Sequence, residues 1–168
     1  EEFQRVNERY TYLTDQRDDV DKAKKELEEI IAGITDEMKT IFRREFTTIN
    51  EAFGQTFLEL FGGGKATLEL EDPDDILNCG IEIRVQPPGK ALKIITLLSG
   101  GEKAFVAIAL YFAILKVRPT PFVVMDEIEA ALDDPNVSRF ARYMRGMSGK
   151  TQFIVITHRR GTMEEADV

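Results

Sequence analysis

The chain opens with a long helix-forming segment, which constrains the fold more than any other feature of the sequence. Residues 3–53 contain no proline, and Gly33 is their one glycine. Their apolar residues follow a heptad spacing, in which Arg17 and Lys24 take two of the seam positions. The apolar members are Phe3, Val6, Tyr10, Leu13, Val20, Leu27, Ile31, Ile34, Met38 and Ile41. This narrow stripe is typical of a coiled-coil seam and runs longer than an average helix of about 11–12 residues.

A helix with so thin an apolar stripe is unstable alone and needs a partner helix, which this sequence does not contain. The alternative is an ordinary amphipathic helix that packs on its own domain.

Composition limits the class of protein. A chain of 168 residues with 43% hydrophobic residues can bury one core without disulfides or metals. Its formal net charge of −8 argues against a protein that coats nucleic acid or an anionic membrane through bulk charge. The single cysteine, Cys79, excludes an intramolecular disulfide and is typical of a reducing compartment. The single histidine, His158, excludes a multi-histidine metal site.

The sequence contains no recognisable targeting or membrane segment. No apolar run reaches the ~18 residues of a membrane span, and the first residues lack a basic region followed by an apolar stretch. The chain begins with Glu1 rather than methionine, so we expect a fragment of a longer protein. We expect that protein to be located in the cytoplasm, a reducing compartment.

Residues 54–168 predict a lobe of mixed α/β structure. Two stretches, 67–71 and 81–85, alternate apolar and polar residues and predict antiparallel strands, after a helix that ends at the glycines 62–64. Helices and strands then alternate, which favours a parallel sheet. These elements are a helix from Ser99 to about Lys116, a strand at 122–125, a helix that begins near Pro135 and reaches about Met147, and a strand at 153–156. The continuous apolar runs of both strands predict burial on both faces.

The motif Leu98-Ser99-Gly100-Gly101-Glu102-Lys103 begins a predicted helix. Ser99 and Glu102 have the spacing of a capping box, so a well-capped helix explains the motif as readily as a binding site does. The two glycines favour the binding site, because glycine in a helical first turn costs about 1 kcal/mol relative to alanine. Without side chains there, a phosphate or another backbone can approach the free N–H groups at the positive end of the helix dipole.

Two predicted strands end in polar residues. Asp126 and Glu127 follow the strand at 122–125, and Thr157 and His158 follow the strand at 153–156. Ligands of open α/β sheets gather beyond the carboxyl ends of strands. Asp126 is suited to hold Mg²⁺ through water, Glu127 to orient or deprotonate an attacking water, and His158 to contact a γ-phosphate. The alternative is a pair of strands that end in solvated polar residues.

No P-loop accompanies these residues. The spacing G-x-x-x-x-G-K-[ST] is absent, because Gly64-Lys65 is followed by Ala66 and Glu59 stands where the first glycine belongs. A second Gly-Lys pair, Gly89-Lys90, also precedes alanine. The element that grips the α- and β-phosphates must therefore come from another polypeptide or another part of a parent chain.

Together these segments resemble the ABC-type ATPases. Residues 98–103 resemble their signature motif, residues 123–127 their Walker B strand, residues 131–136 their D-loop, and Thr157-His158 their switch histidine. The stretch 126–133, Asp-Glu-Ile-Glu-Ala-Ala-Leu-Asp, resembles the SMC (structural maintenance of chromosomes) family.

A second segment and the helix support the same resemblance. Residues 157–167 resemble the bacterial chromosomal form, and the heptad helix fits the coiled coil of SMC proteins. The resemblance covers essentially the whole chain.

The resemblance implies the C-terminal half of an ABC-type SMC head, with residues 1–53 as a coiled-coil stub and residues 54–168 as the C-terminal lobe. The fold implied is a parallel sheet with flanking helices and a small antiparallel strand region. The lobe would lack appreciable ATPase activity without the N-terminal half, which carries the P-loop. The implied site residues are Glu127 and His158 for catalysis, Asp126 for the metal, and Ser99, Gly100, Gly101, Glu102, Lys103, Asp133 and Asn136 for ATP and the head–head interface.

The resemblance also implies ligands and partners. The ligands are ATP and Mg²⁺. The partners are the N-terminal half of the same head, a second SMC head in an ATP-dependent homodimer, a kleisin subunit, and DNA through the complete complex, with no membrane. The implied role is chromosome condensation and segregation at the nucleoid.

Two alternatives remain open. A related coiled-coil ATPase of double-strand-break repair would share the mechanism, and a zinc-hook apex on the parent chain would favour it. A noncatalytic coiled-coil assembly module would use the capped helix and the acidic strand end for structure alone.

Overall fold

The computed structural model describes residues 1–167. Its first element is a single helix, α1 (Glu2–Phe61), and the chain divides between Arg43 and Arg44 into two compact units. The helix predicted over residues 3–53 is therefore present and continues to Phe61. The boundary predicted between residues 53 and 54 falls inside α1, and as a division between coil and lobe it stays a prediction.

The first unit is the part of α1 up to Arg43, and it buries no side chain. The ten apolar residues of its heptad stripe are exposed by 44% to 82%. In the second unit, by contrast, α1 buries Phe53, Phe57 and Leu60 almost completely.

A three-stranded antiparallel sheet follows α1; two of its strands were predicted, and the short third strand was not. Its strands are β1 (Lys65–Leu70), β2 (Ile81–Gln86) and β3 (Lys93–Ile94), in that order, and Leu68 pairs with Ile83. Asn50 of α1 fixes the helix to this sheet. Its side chain accepts a hydrogen bond from Leu68 N at 2.8 Å and donates one to Leu68 O at 3.1 Å.

The second half of the lobe alternates helix and strand. After a short 3₁₀ turn (Ile95–Leu97) come α2 (Gly100–Val117), β4 (Phe122–Asp126), α3 (Asp134–Met147), β5 (Gln152–Ile156) and α4 (Arg160–Met163). Strands β4 and β5 pair in parallel, in a register that sets Asp126 opposite Ile156. The parallel sheet predicted from the alternation is confirmed.

Aromatic side chains of α1, α2 and α3 meet in one core. Phe57 stacks on Phe61 with ring centroids 4.0 Å apart, and Phe112 lies against Phe140 with centroids 5.8 Å apart. Phe57, Phe112 and Phe140 are fully buried, and each contributes about 1.5–3 kcal/mol relative to an exposed side chain.

The prediction that β4 and β5 are buried on both faces is wrong for this chain. Val123 and Met125 of β4 are buried in the core, but Phe122 and Val124 are 59% and 57% exposed. In β5, Ile154 and Ile156 are 46% and 51% exposed. The physical reason is that the described part of the chain covers one face of this two-stranded sheet and leaves the other uncovered. We call the four exposed residues (Phe122, Val124, Ile154 and Ile156) the open sheet face.

Among residues 1–167, no helix combines the length and the apolar character that a membrane crossing requires.

Candidate functional site

The turn after β4 has an unusual backbone. Glu127 has a positive φ of 48°, which costs of order 1–3 kcal/mol for a residue other than glycine. Its N–H donates to Ile156 O at 2.9 Å and so continues the ladder between β4 and β5. Its C=O accepts from Ala130 N at 3.0 Å, which begins a tight turn. These bonds hold the strained residue at the carboxyl end of the sheet.

The parallel register brings three predicted residues to the same edge. Asp126 ends β4, and His158 lies two residues beyond the end of β5. The imidazole Nε2 of His158 lies 3.1 Å from Oε1 of Glu127, and their side chains are 85% and 48% exposed. An accessible carboxylate and an imidazole at this distance can orient and deprotonate a water molecule.

The predicted helix start at Ser99 is confirmed. Ser99 is the N-cap of α2, and its hydroxyl accepts a hydrogen bond from Glu102 N at 3.4 Å. In return, Glu102 Oε2 accepts from Ser99 N at 3.1 Å and from the Ser99 hydroxyl at 2.8 Å. The capping box predicted from the spacing is therefore present, and Ser99 and Lys103 are exposed.

The two glycines after Ser99 differ in their surroundings. A Cβ at Gly100 would meet no atom within 4 Å, whereas a Cβ at Gly101 would lie 2.9 Å from Ala131 O. Gly100 thus leaves open space at the start of α2. Gly101 permits the close approach of the segment that follows β4.

Lys90 is a residue of this region that sequence reasoning did not assign. It lies in the turn between β2 and β3, and its Nζ is 2.7 Å from Oε1 of Glu102. The Lys90 ammonium and the Ser99 backbone and hydroxyl groups lower the pKa of Glu102 to about 2. The sequence contained no signal for this contact, since Gly89-Lys90 stood out only as a failed P-loop.

Asp133 and Asn136 meet at the start of α3. Asp133 is the N-cap of this helix, and its Oδ1 accepts from Asn136 N at 3.1 Å. Pro135 lies in the first helical turn, as predicted. A helix cap explains this pair locally, and Asp133 is exposed.

The donor set suits Mg²⁺ only in part. Among residues 1–167, no group of three or more His, Cys, Asp or Glu side chains could hold a metal ion. Mg²⁺ needs few protein ligands, however, because it keeps several waters and binds phosphate oxygens. The exposed carboxylate of Asp126 fits that role as an oxygen donor at the strand end.

Comparison with known proteins identifies the family. The family profile described as "RecF/RecN/SMC N terminal domain" matches residues 4–168. The chain is 57% identical over all 168 residues to the chromosome partition protein Smc of Bacillus subtilis, and 44% identical over 167 residues to that of Mycobacterium leprae. The chain belongs to the SMC family.

This SMC chain spans 14% of the length of both relatives. It is also similar to solved SMC heads. It superposes with a TM-score of 0.75 on the Pyrococcus furiosus Smc head domain with an extended coiled coil, bound to the C-terminal domain of ScpA. The sequences are 43% identical, and the match covers 99% of this chain and 42% of the other.

A second solved relative comes from work on ATP-driven dimerization and DNA-stimulated activation of SMC ATPases. Its TM-score is 0.72 at 46% identity, with 77% of this chain and 78% of the other covered. The mixed α/β fold is therefore that of SMC heads, and this chain is a fragment of such a head.

Proposed function

We propose that this chain is the C-terminal half of an SMC ATPase head, which hydrolyses ATP only with an N-terminal half that carries the P-loop. The open sheet face is the observation that carries this proposal. Parallel sheets are almost always covered on both faces, and a two-stranded sheet is too small to be stable alone. An N-terminal half that adds strands and covers this face would complete both the sheet and the nucleotide site.

The residues at the sheet edge have the roles that ATP hydrolysis needs. Asp126 would hold Mg²⁺, which would neutralise charge on the phosphates when bound. Glu127 would orient and deprotonate the attacking water, and His158 would contact the γ-phosphate while it stays beside Glu127. The observed 3.1 Å contact between Glu127 and His158 supports a shared site for these two side chains.

The start of α2 would serve a different ATP molecule. Ser99, Gly100 and the helix N-terminus offer a hydroxyl, open space and N–H groups to a phosphate bound on a second head. Glu102 would position Ser99 through the capping box, and Lys103 would lie beside the same phosphates. Asp133 and Asn136 would lie at the interface between the heads. ATP-driven dimerization, the subject of work on a solved relative, supports this arrangement.

Solved relatives support a proposal for partners outside the head. The Pyrococcus furiosus head is bound to the C-terminal domain of ScpA, and another solved head is bound to the C-winged helix domain of ScpA. We propose that the complete protein likewise binds a kleisin and, through the whole complex, DNA. Residues 1–53 would be the coiled-coil stub, and the complex would act on the bacterial nucleoid in the cytoplasm in chromosome condensation and segregation.

A noncatalytic assembly module is the second candidate, and the capping box favours it. The Ser99 hydroxyl already binds Glu102, and Asp133 already caps α3, so both motifs have local structural uses.

Nucleotide-dependent pairing of complete heads separates the two candidates. The test is sedimentation of the parent head with the Glu127→Gln change, with and without ATP and Mg²⁺. We expect a monomer without ATP and a dimer with ATP. A monomer under both conditions would favour the noncatalytic module.

A further inference from the structure

A buried acid lies close to the sheet-edge residues and has no role in the site described so far. Glu129 is completely buried in the turn between β4 and α3. Its Oε1 accepts hydrogen bonds from the hydroxyls of Thr157 and Thr162, the latter at 3.0 Å. Its Oε2 has no hydrogen-bond partner among residues 1–167. A buried acid with an unpaired oxygen is costly, so packing alone does not explain it.

The contact with Thr157 connects Glu129 to the histidine. Thr157 directly precedes His158, and its hydroxyl donates to Glu129 while it accepts from Arg159 N at 3.0 Å. The hydroxyl thus fixes the backbone on both sides of His158. Because Glu129 is two residues from Glu127, the same bond ties the turn after β4 to the chain after β5.

A second set of hydrogen bonds joins the same two segments, the turn after β4 and the chain after β5. The guanidinium of Arg159 donates to Leu132 O at 2.7 Å and to Asp134 Oδ1 at 3.0 Å. Residues 157 and 159 are therefore both bonded to the segment that follows Glu127. His158, between them, is directed toward solvent and toward Glu127.

We propose that Glu129 is a positioning residue that holds His158 beside Glu127, by binding Thr157 from the turn after β4. The inference rests on the proposed function for its catalytic meaning, since only in a hydrolysing head does this distance affect turnover. Glu129 itself touches neither the nucleotide nor the water.

The distance between the side chains of His158 and Glu127 can be tested without measuring ATP hydrolysis. His158 is the only histidine of the chain, so in a tag-free sample its ring gives a single set of imidazole NMR signals. Glu127→Gln alters the contacting carboxylate and should shift the His158 Cε1–H signal. We expect Thr157→Val or Glu129→Leu to reduce this Glu127-dependent shift by at least half. Glu129→Gln should retain it, because the amide oxygen still accepts from both threonines.

Thr151→Val is a matched control. Thr151 is a buried threonine at the opposite end of β5, where its hydroxyl donates to Thr120 O at 2.9 Å. This variant should lose a similar amount of stability and keep the full Glu127-dependent shift. An equal loss of the shift in Thr151→Val and Thr157→Val, or no loss in either, would overturn the inference.

The second arm measures turnover in the complete parent head. We expect Thr157→Val and Glu129→Leu to lower kcat at least tenfold with less than a threefold change in the Kd for ATP. Glu129→Gln and Thr151→Val should stay within threefold of the unmodified head. If Glu129→Leu does not fold, Thr157→Val tests the positioning role, because it replaces a half-buried hydroxyl with a methyl group of similar size.

The outcomes separate the two proposals. If the unmodified head hydrolyses ATP and Thr157→Val keeps its full kcat, the positioning role is contradicted and the proposed function stays intact. An unmodified head that does not hydrolyse ATP would contradict the proposed function. The NMR arm would then still decide whether Glu129 fixes the distance.

Discussion

Nε2 of His158 lies 3.1 Å from Oε1 of Glu127, although the strand ends that precede them, Asp126 and Ile156, lie 30 positions apart in the sequence. The register between β4 and β5 creates this contact, because it pairs Asp126 with Ile156 and lets both chains leave the sheet side by side. The positive φ of Glu127 and the hydrogen bond from Ala130 N to Glu127 O then turn the backbone away from the strand direction. The hydrolytic part of the proposed ATP site depends on this contact.

Replacing Glu127 should separate binding from hydrolysis. In a complete head, Glu127→Gln removes the proposed base but keeps the size of the side chain. We expect hydrolysis to fall by about 10²–10⁴-fold while ATP-bound dimers accumulate. Phosphate release and sedimentation measure the two effects. Glu164→Gln is the control, since Glu164 is an exposed carboxylate paired with Arg160. Unchanged phosphate release by Glu127→Gln would remove Glu127 from the role of base.

Ser99 should have a second role besides its helix cap. Ser99→Ala removes the cap and should cost about 0.5–2 kcal/mol of stability. Ser99→Asn keeps a capping oxygen and an N–H donor for Glu102, but its larger amide fills the space where we propose that phosphate binds. We expect Ser99→Asn to melt near the unmodified chain in thermal unfolding and yet to weaken ATP-driven dimerization of complete heads at least tenfold. Normal dimerization by Ser99→Asn would leave Ser99 with the role of a helix cap alone.

Acid should weaken the contact between Lys90 and Glu102. The folded-state pKa of Glu102 is lowered from 4.5 to about 2, so its contribution to stability is present above about pH 4.5 and is lost as the pH falls toward 2. Lys90→Met removes the main cause of the lowered pKa. We expect this variant to be less stable than the unmodified chain at pH 7 and equally stable near pH 2. Urea unfolding at several pH values measures the difference, and a pH-independent difference would contradict the assignment.

The open sheet face should bind the N-terminal half. Val124→Asp places a charge on this face, where its present side chain is 57% exposed and its removal opens no cavity in the core. We expect the Kd for the N-terminal half to rise at least tenfold in isothermal titration, with little change in the melting temperature of the chain alone. Ile114→Asp, on a 43% exposed site of α2, is the control and should bind normally. Equal binding by both variants would place the interface elsewhere.

Local signals predicted much of this structure. The heptad stripe predicted α1, the Ser99–Glu102 spacing predicted the cap of α2, and Pro135 marked the start of α3. The alternation of elements predicted the parallel pair. Each of these signals lies within a few residues of the element it specifies.

Contacts between distant segments were not predictable in the same way. Apolar residues on both faces of β4 indicated complete burial, but the described residues cover only one face of this strand, and we propose that the N-terminal half covers the other. Lys90 reaches Glu102, and Glu129 reaches Thr157, only because the tertiary fold brings separate loops together. No periodicity or spacing in the sequence marks either pair.

The most direct test of the central claim is steady-state ATP hydrolysis with Mg²⁺, measured for the chain alone, for the N-terminal half of the parent head alone, and for their mixture. We predict no appreciable turnover by either half and clear turnover by the mixture, which Glu127→Gln abolishes. Robust turnover by the chain alone would contradict the claim that its nucleotide site is divided between two polypeptide segments.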